Sequence, residues 1–165
     1  MPCAVALAGC TEDPAAGSGT PGAVNPTSSG QPAGETPTVD PAVVAALSTA
    51  AAQVTQLSLQ FAGVSRKFPA LRTQLAAGAK YHASHLARLK ETHGVTAAAS
   101  RPAVVPSTSA AALAGLAKQE KTAAVAHAAA AAKMSGAPAR LLAMIAAAET
   151  QLGTTLTPKK KADAP

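Results

Sequence analysis

The sequence predicts an all-α domain, four helices folded back on one another as an antiparallel bundle. Three observations carry this. The chain is 48% hydrophobic but only 2% aromatic, with no tryptophan, so most of its apolar surface is alanine, which favours helices packed through small faces and gives a sheet little to hold it. Larger apolar residues recur at steps of three and four in four separate stretches, the period of one helix face. Proline, glycine and Ser/Thr signals stand between those stretches, where helices stop and start.

Asp40-Pro41 opens the first helix, an acceptor cap followed by proline at the first helical position. Val43, Leu47, Ala50, Val54, Leu57, Phe61 and Val64 then continue as a bundle seam. Phe68-Pro69 breaks it. The second helix carries Leu71, Leu75, Ala79, Leu86 and Leu89 inward and stops near His93-Gly94. A loop from Thr96 to Thr108 leads to Ser109, the expected cap of a third helix with Leu113, Leu116, Ala124, Ala131 and Met134 on one face. After the turn Ser135-Gly136-Ala137-Pro138, the fourth helix presents Leu142, Ile145, Leu152 and Leu156 and ends at Thr157-Pro158. So short a joint makes helices three and four antiparallel neighbours. The domain thus runs over residues 39–157, enough chain for a single core.

The flanks have a different character. Residues 11–38 consist largely of Gly, Pro, Ser, Thr and Ala and cannot bury a core; they are expected to form a disordered linker with a reach of about 30 Å. Residues 158–165 are a basic tail, with Lys159, Lys160 and Lys161 as the one cationic run. The remaining basic residues are scattered, so the net charge of +6 makes no stripe, and no nucleic-acid recognition motif accompanies it. Cys3 and Cys10 both precede the domain, which leaves no disulfide framework. No uninterrupted apolar run approaches the ~18 residues of a membrane span.

Residues 1–10 are small and apolar up to Leu7-Ala8-Gly9-Cys10, and Thr11-Glu12-Asp13 then turns polar. This resembles a bacterial lipobox. The resemblance implies that Cys10 carries a diacylglyceryl group on its sulfur, that the residues before it are removed, and that the chain is anchored in lipid on the extracytoplasmic face of the bacterial cell membrane. Only nine residues precede Cys10 and none is basic, whereas a signal peptide needs about 15–30 with a positive start; the true start is expected upstream.

Ionisable residues fall on faces that should be apolar. His82 lies in the middle of the Leu71/Leu75/Leu86/Leu89 face and His85 at its edge. Glu120 lies in the middle of the Leu113/Leu116/Ala124 face, with His127 two turns on, and Glu149 in the middle of the Leu142/Ile145/Leu152/Leu156 face. A buried, unpaired carboxylate costs several kcal/mol, so such groups should be paired, protonated or metal-bound. Counted from the turn at Gly136, Glu120 and Glu149 differ in depth by about 4.5 Å, close enough to meet. His85, His93 and His127 are expected at edges or on the surface.

Tyr81-His82-Ala83-Ser84-His85-Leu86, Glu120 and Ala148-Glu149-Thr150-Gln151 together resemble the ferritin-like superfamily, in particular the small alanine-rich ferritin-like domains of high-GC, actinobacterial-type envelope lipoproteins. The likeness covers residues 40–157 and implies a ferritin-like bundle. In that superfamily two Glu residues and two Glu-x-x-His motifs hold a dinuclear site. Here the second helix has His82-x-x-His85, the fourth has Glu149-x-x-Leu152, and the first offers only Gln53, Gln56 and Gln60. Between Pro41 and Lys161 the acidic residues are Glu91, Glu120 and Glu149, and Glu91 lies opposite His82 on the helix. Four carboxylates are not to be had, so the resemblance implies the fold and not ferroxidase or oxygenase chemistry.

No phosphate loop, His-Glu-x-x-His or Gly-x-Ser-x-Gly motif is present, and an enzyme is not expected. The favoured function is a non-enzymatic envelope module, structural or binding a protein or cell-wall partner without a cofactor, because buried polar groups normally find a protein partner. The alternative is an envelope metal-binding protein with a single divalent ion, Zn²⁺, Mn²⁺ or Fe²⁺, held by His82, His85, Glu120 and Glu149.

Overall fold

The computed structural model describes residues 39–101 and 104–157; Cys10 with the segment that resembles a lipobox, the expected linker over residues 11–38 and the basic tail lie outside them. The described residues form four α-helices and no strand: α1 (Pro41–Lys67), α2 (Arg72–Lys90), α3 (Ser109–Ala131) and α4 (Gly136–Thr155), with one 3-10 turn at Pro69–Leu71.

The start of α1 is chemically fixed. Asp40 Oδ1 accepts from the Ala42 N–H at 2.8 Å, and Pro41 takes the first helical position, so one orphan donor is satisfied and another does not exist. The expected seam follows, with Leu47, Ala50, Val54, Leu57, Phe61 and Val64 buried and Ala51 beside them. At the far end the Phe68 N–H closes on the Val64 carbonyl, and Pro69, with no N–H to donate, ends the ladder. Although its uninterrupted apolar runs are short, α1 reaches a mean hydropathy of 1.4 over 18 residues and is long and apolar enough to cross a membrane by composition. Its seven buried residues face the protein interior.

In α2 the inward stripe is Leu75, Gly78, His82, His85 and Leu89. Ala79, expected to face inward, is exposed; the stripe advances by three and four from Leu75, and residue 79 lies one step round from it. α2 ends at Lys90, and the chain turns through Gly94 at φ +86°, a left-handed conformation that glycine adopts without strain.

The segment after Gly94 retraces α1 from its start toward its end. The Thr96 N–H donates to Ser48 Oγ at 3.2 Å, the Ser100 hydroxyl reaches the Ala52 carbonyl at 3.5 Å, and Lys67 Nζ donates to the Val105 carbonyl at 3.0 Å. The chain therefore re-enters at the α1 C-terminal end before α3 begins. There the cap is Thr108 and not Ser109: the Thr108 hydroxyl accepts from the Ala111 N–H at 3.2 Å, and Ser109 is the first helical residue.

Packing follows from this path. Val44 lies against Gly94 and Phe61 against Gly78, so α1 and α2 run in opposite directions. Glu149 bonds His127 while Gly153 lies against Lys121 and Ala117, so α3 and α4 do likewise. These are the two most extensive helix pairs; α1 also meets α3, and α2 and α4 touch only sparsely. Two apolar clusters result. One joins Leu47, Ala50, Ala51 and Val54 to Leu89, Val95, Leu142 and Ile145. The other joins Phe61 and Val64 to Leu75, Ala112, Leu116, Ala117 and Leu156. Between the two clusters α2, α3 and α4 each bury ionisable residues beside glycine or alanine.

Candidate metal centre

His82, His85, Glu120, His127 and Glu149 form this polar layer, and all five are buried. Each helix supplies its members by register. On α2 His82 and His85 stand between Leu75 and Leu89; on α3 Glu120 and His127 stand between Leu116 and Ala131; on α4 Glu149 stands between Ile145 and Leu156. α1 contributes Leu57, which is apolar and buried.

Two histidine–glutamate pairs organise the layer. His82 Nε2 lies 2.8 Å from Glu120 Oε1, and His127 Nδ1 lies 2.8 Å from Glu149 Oε2. One ligand atom from each of His82, Glu120 and Glu149 lies within 4.8 Å of the other two. Ligands about 2.1 Å from one ion stand about 3–3.5 Å apart, so a shared ion would draw the three groups closer than the 4.8 Å within which their atoms lie.

The pairs do not satisfy the layer. His82 Nδ1, His85 Nδ1, Glu120 Oε2, His127 Nε2 and Glu149 Oε1 are buried without a hydrogen-bond partner among the described residues, and each such orphan costs about 1–3 kcal/mol. Burial raises the pKa of Glu149 above the ordinary carboxylate value; the hydrogen bond from His127 pulls it the other way and does not prevail. Burial likewise lowers the pKa of His85, helped by the neighbouring His82 and Arg88. In a metal-free interior these two groups thus favour their neutral forms.

The structure brings His82, Glu120 and Glu149 together, and His85 lies outside that group of three. His85, placed at an edge by the sequence, is buried at 6% exposure with its ring stacked beneath Tyr81, centroids 6.1 Å apart. His127, expected at an edge or surface, is buried and paired with Glu149. Residues 116, 120, 123 and 127 share one face of α3, a spacing diluted by the alanines all round the helix. His93 and Glu91 are exposed. Among the described residues the only buried carboxylates are Glu120 and Glu149, which is half the number a carboxylate-bridged dinuclear centre uses.

Compared with protein-family models, curated proteins and solved structures, the chain matches none of them.

Proposed function

We propose that the protein is a metal-binding protein of the bacterial envelope, a ferritin-like four-helix bundle that holds one divalent ion at His82, Glu120 and Glu149. The observation that carries this is the convergence of those three groups in a buried layer that leaves one atom of each unpartnered. Nitrogen and carboxylate oxygen together suit Zn²⁺, Mn²⁺ or Fe²⁺. With two carboxylates the site is mononuclear and is not a ferroxidase.

The ferritin-like assignment rests on the resemblance in the sequence and on connectivity. The long segment after α2 travels beside α1 and sets α3 off in the direction of α2, and a single long crossover is the pattern of that class of bundle. Location at the outer face of the membrane rests on the lipobox at Cys10.

A purely structural polar layer is the second reading, and the two 2.8 Å histidine–glutamate bonds favour it. It accounts less well for five orphaned atoms. The test is titration of the chelator-stripped full chain with Zn²⁺, Mn²⁺ and Co²⁺ while following heat release and thermal unfolding. The expected result is saturation at one ion per chain with a raised Tm, growing with free metal. No saturable binding and no change in Tm leaves the structural module.

A further inference from the structure

α2 and α4 are sparsely packed, as are α1 and α4, and a cleft of about 290 Å³ opens between α2 and α4. Phe61 and Gly78 lie in it, Tyr81 lines it from α2, and Ala148 and Leu152, which flank Glu149 in sequence, line it from α4. Two of these residues back directly onto the polar layer. Phe61 stands edge-on to His82, with centroids 5.0 Å apart, and Tyr81 stacks on His85. The other members of the layer are 0–1% exposed, whereas His85 retains 6% and Tyr81 above it is 51% exposed. On the other side of His85 the seam is bridged, because Arg88 Nη1 reaches Met144 Sδ at 3.9 Å.

We propose that the α2–α4 cleft is the port through which a divalent cation reaches the buried layer, and that His85, beneath Tyr81, is the first imidazole it meets. This rests on the metal-binding reading above. A hydrated ion entering a protein must exchange water for protein donors step by step. Gln74, Gln151 and Thr155 line the cleft with neutral oxygen donors, and the rings of His82 and His85, each with an unpartnered Nδ1, contact its aromatic residues Phe61 and Tyr81. No charged side chain among the described residues lines the cleft itself, although Arg88, near His85, reaches across the same seam to Met144. The larger grooves differ: two, of about 620 and 600 Å³, are lined by Lys121, and a third, of about 900 Å³, by Lys133 together with Asp40. The Lys121 ammonium opposes a cation's approach to the first two, and none of the three grooves contains an aromatic residue in contact with a layer imidazole.

The test is the rate of Co²⁺ uptake by the full chain, followed by visible absorption in a stopped-flow instrument, with equilibrium affinity measured on the same samples. Tyr81→Ala widens the port and Gln151→Trp narrows it; both positions are exposed, so both variants should fold, and circular dichroism confirms it. Val125→Trp, in the Lys121 grooves, is the control. The expected outcome is faster uptake in Tyr81→Ala, uptake slowed by about tenfold or more in Gln151→Trp, and wild-type kinetics in Val125→Trp, with little change in affinity. Unchanged rates in both cleft variants, with one ion still bound at equilibrium, overturn the port and leave the metal site standing. A slowed Val125→Trp beside an unaffected Gln151→Trp also overturns it and moves entry to the α3–α4 side. If the wild type takes up no Co²⁺ at equilibrium, the port and the metal reading fall together.

Discussion

Phe61 meets His82 edge to face, the rings inclined at 72° with centroids 5.0 Å apart, and Gly78 is the residue that lets it lie there. The arrangement directs ring C–H groups of one aromatic at the face of the other, which suits the quadrupoles of both. A Cβ at position 78 would overlap the Phe61 ring.

Gly78→Ala should therefore destabilise the protein. Alanine gains about 1 kcal/mol over glycine in a helix interior, but forcing a buried aromatic ring to move costs about 1–3 kcal/mol. Urea unfolding should show a lowered midpoint at unchanged slope. A raised midpoint would mean that the ring yields freely and that its seat against α2 has no consequence.

The helix cap separates two adjacent hydroxyls. Thr108→Ala removes the acceptor used by the Ala111 N–H and should cost about 1 kcal/mol. Ser109→Ala, inside the first turn, should be close to neutral. A loss confined to Ser109→Ala would place the cap where the sequence first put it.

How far the sequence could be read depended on side-chain size. α1 was legible throughout because Leu47, Val54, Leu57, Phe61 and Val64 are large and their spacing leaves one possible face. α3 was not. Alanine lies all round it, buried at 112, 117, 123 and 124 and exposed at 111, 114, 128 and 129, so only Leu113 and Leu116 marked the inward side, and His127, two turns beyond Glu120, looked like an edge residue. On α2 the same dilution put Ala79 inward in place of Gly78. Glu120 and Glu149 were found because each interrupts an otherwise apolar face. The path of the segment after Gly94 was beyond reach, since it depends on hydroxyl and backbone contacts of Thr96, Ser100 and Val105 with α1 that no periodicity encodes.

The pH dependence of the metal-free protein should carry the mark of His85. Its pKa is lowered by burial in the folded state, so the unfolded chain binds a proton first as pH falls through about 6.5. Its contribution to stability is complete above that value and is lost on acidification toward the folded pKa. Glu149 works in the opposite sense, because its raised folded pKa makes the folded state the better proton acceptor above the ordinary carboxylate value. Comparing wild type with His85→Gln isolates the first effect: any stability advantage of the wild type should shrink between about pH 7.5 and about pH 5.5. An advantage that stays constant over that range would show that His85 charges in the folded protein as easily as in the unfolded one.

Replacement of the Glu149 pair distinguishes a ligand from a packing group. In the metal-free protein, Glu149→Leu alone leaves His127 Nδ1 buried without its 2.8 Å partner and should cost about 1–3 kcal/mol. The double variant Glu149→Leu/His127→Leu removes both polar groups and should recover that loss, ending neutral or more stable than wild type by about 1–4 kcal/mol, as apolar replacement of buried ionic groups often does. In metal-replete samples the order should reverse. Wild type should gain a Tm increment that a chelator abolishes, and neither variant should show one, because each lacks the Glu149 carboxylate on which the coordination sphere depends. Chelator-insensitive melting of a metal-replete wild type would assign the whole layer to packing. A chelator-sensitive increment that persists in Glu149→Leu would instead place the ion on His82 and Glu120 without the α4 carboxylate.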